Sequence, residues 1–145
     1  MKVKLKYSSI DELPPLVLSA LCDVPRLKAI GFDGHFAPIG TELIVYGIDF
    51  LNGNLFYRLG HPPHEPYVIQ CLAVLFQIID PRVSRYWECR TLSAGEFVLW
   101  PPSWFVDFYH DRLSDGDREL VKDYNTIKRL FAEEASSVSC LPTSE

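Results

Sequence analysis

The chain has no apolar stretch of the roughly 18 residues that a membrane-crossing helix needs. Its opening, Met-Lys-Val-Lys-Leu-Lys-Tyr, has no apolar h-region, so no signal peptide is expected. Basic charge is scarce: 14 Lys and Arg stand against 19 Asp and Glu, for a net charge of −5 and a pI near 5.3. That deficit argues against broad binding of a phosphate backbone and against docking on anionic lipid. Four cysteines (Cys22, Cys71, Cys89, Cys140) are spaced as neither a zinc site nor a disulfide framework. Three of them sit in or beside apolar segments, where a free thiol serves as a small core residue. A reduced, cytoplasmic protein follows as the expectation. Also missing are the G-x-S-x-G elbow, the Walker loop, H-E-x-x-H and G-x-G-x-x-G, and with them the commonest catalytic signatures. Repeats and a domain linker are absent, so the 145 residues read as one domain over 1–135 with a loose, polar tail over 136–145.

What is present is a core and a dense aromatic segment. An apolar fraction of 48% with 23% charged residues is ordinary for a globular domain. Between Phe97 and Tyr109, six aromatic residues (Phe97, Trp100, Trp104, Phe105, Phe108, Tyr109) are split by Pro101-Pro102 and followed by His110-Asp111. Rings at that density form either core or a contact surface.

Lys2, Lys4 and Lys6 alternate with Val3, Leu5 and Tyr7, which predicts a half-buried strand whose lysine stripe suits a sheet edge. Ser9 and Glu12 have the spacing of a capping box. Pro14-Pro15 then predicts a helix over 15–22 burying Leu16, Val17, Ala20 and Leu21. Residues 41–59 form the clearest local signal, a hairpin turning at Asn52-Gly53. Its alternation pairs Phe50 with Leu55, Ile48 with Tyr57 and Tyr46 with Leu59 on one face. Gly47 falls opposite Arg58 and Asp49 beside Phe56 on the other, which makes Asp49 and Arg58 diagonal neighbours.

Residues 67–79 are almost wholly apolar and rich in β-branched side chains, which favours a strand buried on both faces over a helix. Strands over 84–92 and 96–100 follow. From Ser103 the period becomes helical, with Trp104 and Phe108, and Phe105 and Tyr109, as i, i+4 pairs facing the sheet. Ser114 is the expected cap of a last helix whose stripe runs through Leu120, Val121, Tyr124, Ile127, Leu130 and Phe131 to about Ala135. The class is therefore α+β: a single antiparallel sheet of about five or six strands in a meander, packed against N-terminal and C-terminal helices.

Three constellations carry candidate chemistry. His35, His61 and His64, with Asp33 or Glu65, have the donor types for zinc or another divalent metal in a hydrolase. Pro62-Pro63 forbids the helix that would align H-x-x-H, however, so exposed turn histidines are the simpler account. Arg82, Arg85 and Arg90 interleave with Tyr86 and Trp87 as a single-strand binding surface would, but alternation splits them between two faces. The third is the Pro-Pro corner: Trp100 and Trp104 half covered, with Asp107, His110, Asp111 and Asp115 on the wet side. Acids beside aromatic rings suit capture of a basic protein, as an inhibitor or immunity-type partner would achieve it. A small-ligand pocket lined by Tyr46, Tyr57 and Trp87 is a further option. Cys89, between Glu88 and Arg90, and the apolar Cys71 give no sign of a nucleophile.

Overall fold

Side-chain alternation and one turn determine the centre of the fold. A computed structural model of the chain describes residues 1–31, 35–60 and 67–137. In it, β2 (Glu42–Leu51) and β3 (Asn54–Gly60) pair Phe50 with Leu55, Ile48 with Tyr57, Asp49 with Phe56 and Gly47 with Arg58. Asn52 and Gly53 have φ of 51° and 77°, the two positive angles of a type I′ turn. The expected register fails at one place. A bulge sets Val45, not Tyr46, opposite Leu59. The extra residue of a bulge loses its partner, and the Tyr46 ring packs instead on the C-terminal helical layer, 6.1 Å from Tyr124 and 5.5 Å from Phe131.

The second edge of β2 serves two neighbours. Its first half pairs with β1 (Lys2–Leu5) and its second half with β7 (Phe97–Trp100), which in turn holds β6 (Glu88–Thr91). β4 (Val68–Leu72) extends the hairpin, and β5 (Phe76–Asp80) lies on the far side of β1. Every pairing among these seven strands is antiparallel, so the sheet and the α+β class are those the pattern predicts, with β2-β3-β4 as the meander. The lysine-striped β1 is no edge: it sits between β2 and β5 and buries Val3 and Leu5. The apolar run 67–79 is two strands, because a 3-10 turn at Ala73–Leu75 bends it back towards β1. Burial on both faces is lost with that bend, and Ile78 and Ile79 are exposed. The expected strand over 84–92 shrinks to β6.

The helices depart further from expectation. Glu12 accepts hydrogen bonds from Ser8 N and Oγ, at 2.9 and 2.8 Å, in place of the Ser9 box. α1 (Pro15–Ser19) starts on proline but buries no residue, and Leu16 stays 84% exposed. α2 (Val24–Ile30), capped by the Asp23 side chain, supplies the buried Leu27 that the sequence pattern assigned to no helix.

After Trp100 the chain forms a 3-10 turn (Pro102–Phe105), runs extended at Val106 and turns left-handed at Phe108 before α3 (Tyr109–Ser114). The i, i+4 pairs predicted there do not form: Trp104 and Tyr109 are buried, and Phe108 points outward at 74% exposure. α4 (Arg118–Ser136) is capped by Asp117, not Ser114, with Oδ1 accepting from Glu119 N and Leu120 N. Its Leu120, Tyr124, Ile127 and Phe131 pack with Tyr46, Trp104 and Tyr109 as a second apolar cluster. No helix of the described residues is long and apolar enough to cross a membrane.

Candidate docking cleft at the Trp100 corner

The corner is built on a missing side chain. A Cβ on Gly47 would lie 3.0 Å from Trp100 Cδ1, 3.1 Å from Trp104 Cζ3 and 3.2 Å from the Leu99 carbonyl. Glycine in mid-strand therefore lets both indoles lie against β2. Two residues on, the same face carries Asp49, whose side chain is fully buried. Register places its partners on that face too, since Arg58 and Gln70 are paired across β3 and β4, and Trp100 is two residues beyond Val98, the β7 partner of Asp49. Asp49 Oδ2 accepts from Arg58 Nε at 2.6 Å and from Gln70 Nε2 at 2.5 Å, and Oδ1 accepts from Trp100 Nε1 at 2.6 Å. A buried carboxylate is tolerated only when its lone pairs are met in this way.

Two members of the network, Arg58 and Trp100, line an open cleft of about 490 Å³. Trp104, Phe105, Tyr109 and His110 line it as well, and the exposed Val106, Asp107, Phe108 and Asp111 form its solvent-facing part, the rim. His110 rests edge-on against Trp104, ring centres 4.7 Å apart, and neither ring nitrogen has a hydrogen-bond partner among the described residues. Burial, reinforced by the nearby Arg58 charge, lowers its pKa to about 4, so the imidazole is neutral at ordinary pH. Behind it, Tyr109 Oη and Ser103 Oγ both donate to Asp123 Oδ2, at 2.6 and 2.8 Å, tying the 3-10 turn and α3 to α4. Burial and the Asp123 hydrogen bond raise the Tyr109 pKa, which keeps that phenol protonated.

Phe108 is the least expected feature of the rim. A bulky residue at φ 60° and ψ 25° is strained by on the order of 1 kcal/mol or more. An exposed ring recovers none of that cost by burial. Val106, Asp107 and Asp111 are exposed beside it.

Five of the residues read from sequence as a contact surface (Trp100, Trp104, Asp107, His110, Asp111) thus line one cleft. Asp115 does not; it is the exposed C-cap of α3. Two placements need correction. Trp104 is 2% exposed, not half covered, because the 3-10 turn folds its ring inward. His110 belongs to the aromatic wall, not to the wet side. Sequence reasoning passed over Arg58, Gln70, Val106 and Phe108 as site residues. The available signal was an Asp within the apolar strand Ile-Val-Tyr-Gly-Ile-Asp-Phe-Leu, which demands hydrogen-bond donors close by.

The remaining candidates disperse. His35 borders a separate shallow cleft with Ser9, Asp11 and Lys28, while His61, His64, Asp33 and Glu65 lie outside the described residues. Among the described residues, no three His, Cys, Asp or Glu side chains come together as metal ligands. Arg82 clamps Asp80 and reaches the Ala135 and Ser137 carbonyls. Arg85 meets Glu134 and Tyr86, and Arg90 meets Glu88 while covering the Phe105 ring at 3.8 Å. Tyr46 and Trp87 converge on Phe131, whereas Tyr57 packs on Phe76 in the other cluster, so these three do not line a common pocket. Cys71 is buried in its apolar strand, whereas Cys22 and Cys89 are exposed thiols. Compared with protein-family models, curated proteins and solved structures, the chain matches none.

Proposed function

We propose that the chain is a small cytoplasmic protein-binding module of the inhibitor or immunity type, which masks a basic partner with the rim of the Trp100 cleft. The observation that carries this reading is Phe108: an aromatic ring held outward in a left-handed conformation beside exposed Val106, Asp107 and Asp111. Strain kept on an exposed apolar side chain is economical only where something else covers it. Aromatic anchors ringed by charge are the usual composition of a binding hot spot, and acids at the rim speed association with a cation-rich surface. The exposed thiols of Cys22 and Cys89 fit a reducing compartment.

The test is affinity capture by the wild-type chain, Phe108→Ser and Asp107→Lys/Asp111→Lys, with melting curves for all three. A basic protein retained by the wild type, released by moderate salt and lost with both variants at unchanged melting temperature is the expected result. Identical retention by the three proteins overturns the reading.

A further inference from the structure

Arg58 is held to Asp49 through Nε, its side chain lines the cleft, and among the described residues no hydrogen bond occupies Nη1 or Nη2. Its side chain is 18% exposed, enough for one contact from outside. Both oxygens of Asp49 are already engaged, Oδ2 by Arg58 and Gln70 and Oδ1 by Trp100. The guanidinium is thus fixed in orientation, faces an aromatic wall, and offers the two-pronged edge that matches a carboxylate. Outside it, Asp107 and Asp111 on the rim repel a free anion and attract a cation. A ligand that suits both has a carboxylate at its tip, an apolar group behind it, and positive charge further back.

We infer that the cleft receives the carboxyl terminus of a basic polypeptide: its α-carboxylate on Arg58, its last apolar side chain against Trp100 and Phe105, and upstream Lys or Arg beside Asp107 and Asp111. This rests on the protein-binding reading above and specifies which part of the partner enters. Capture of a terminal carboxylate is an established mode of peptide recognition. His110 suits the role because a neutral wall neither pays for nor competes with the incoming charge.

The probe is acetyl-Lys-Lys-Gly-Leu with a free carboxylate, compared with the same peptide as its C-terminal amide, followed by tryptophan fluorescence. The acid is expected to bind about tenfold or more tightly than the amide, the scale of a charge-assisted contact. Arg58→Lys is expected to abolish that preference; should it fail to fold, the acid–amide comparison on the wild type still decides. Equal affinity of the two peptides overturns the inference while leaving recognition of basic charge intact. Binding of neither overturns it as well, and the capture experiment with Asp107→Lys/Asp111→Lys then judges the broader reading separately.

Discussion

Trp100 Nε1 donates to Asp49 Oδ1 at 2.6 Å, which ties the last strand of the sheet to a fully buried carboxylate in its central strand. That bond makes the cleft and the core one structure, because the same carboxylate orients Arg58 and Gln70. Removing Asp49 strands three donors at once. Asp49→Ala is expected to cost about 3–5 kcal/mol by chemical denaturation. Asp49→Leu combined with Arg58→Met is expected to cost less than the sum of the two single changes, since neither partner is then left alone.

Gly47 should accept no larger side chain without moving the tryptophans. Gly47→Ala brings a methyl group to 3.0–3.2 Å from Trp100, Trp104 and the Leu99 carbonyl. An overpacking cost of about 1–3 kcal/mol is expected, with a shifted tryptophan emission as the local signature. Unchanged emission would mean that the indoles do not lie against β2.

Phe108 should be exchangeable at no cost to the fold. Phe108→Gly relieves the left-handed strain and removes a ring that is 74% exposed, so stability should hold or rise by up to about 1 kcal/mol. Partner capture should fall in the same variant. A residue that matters for binding and not for folding would be recognised by that split.

His110 makes the fold sensitive to acid. Its folded-state pKa, about 4, lies below the ordinary 6.5, so the unfolded chain binds a proton first as pH falls. Stability is therefore expected to rise with pH between about 4 and 6.5 and to level off above, by a few kcal/mol at most. His110→Phe should flatten the melting temperature across that window. A His110 imidazole that titrates near 6.5 by NMR would remove the basis of the prediction.

Asp80 should contribute at lower pH. Its hydrogen bonds from the Arg82 guanidinium lower the carboxyl pKa to about 2, so this stabilisation is complete above the unfolded value near 3.8 and is lost as pH falls towards 2. Asp80→Asn should remove that part of the acid transition while leaving the His110 part in place.

Local rules of sequence determined the hairpin. Period-two alternation and the Asn52-Gly53 turn set its register and placed Asp49 diagonal to Arg58, since both depend on residues within a few positions of one another. The α4 stripe was legible for the same reason, because a 3.6-residue period over 19 residues admits one buried face. The antiparallel α+β class followed from the sum. Only the tertiary structure decided what breaks period. The bulge at Tyr46, the 3-10 turn after Pro102 and the left-handed Phe108 each answer to a distant partner: Phe131 for Tyr46, Gly47 for Trp104, Asp123 for Tyr109. The aromatic segment that reads as a helical stripe is therefore a strand end, a tight turn and a cleft rim. Packing against residues 14 or more positions away outweighs a preference worth a few tenths of a kcal/mol per residue.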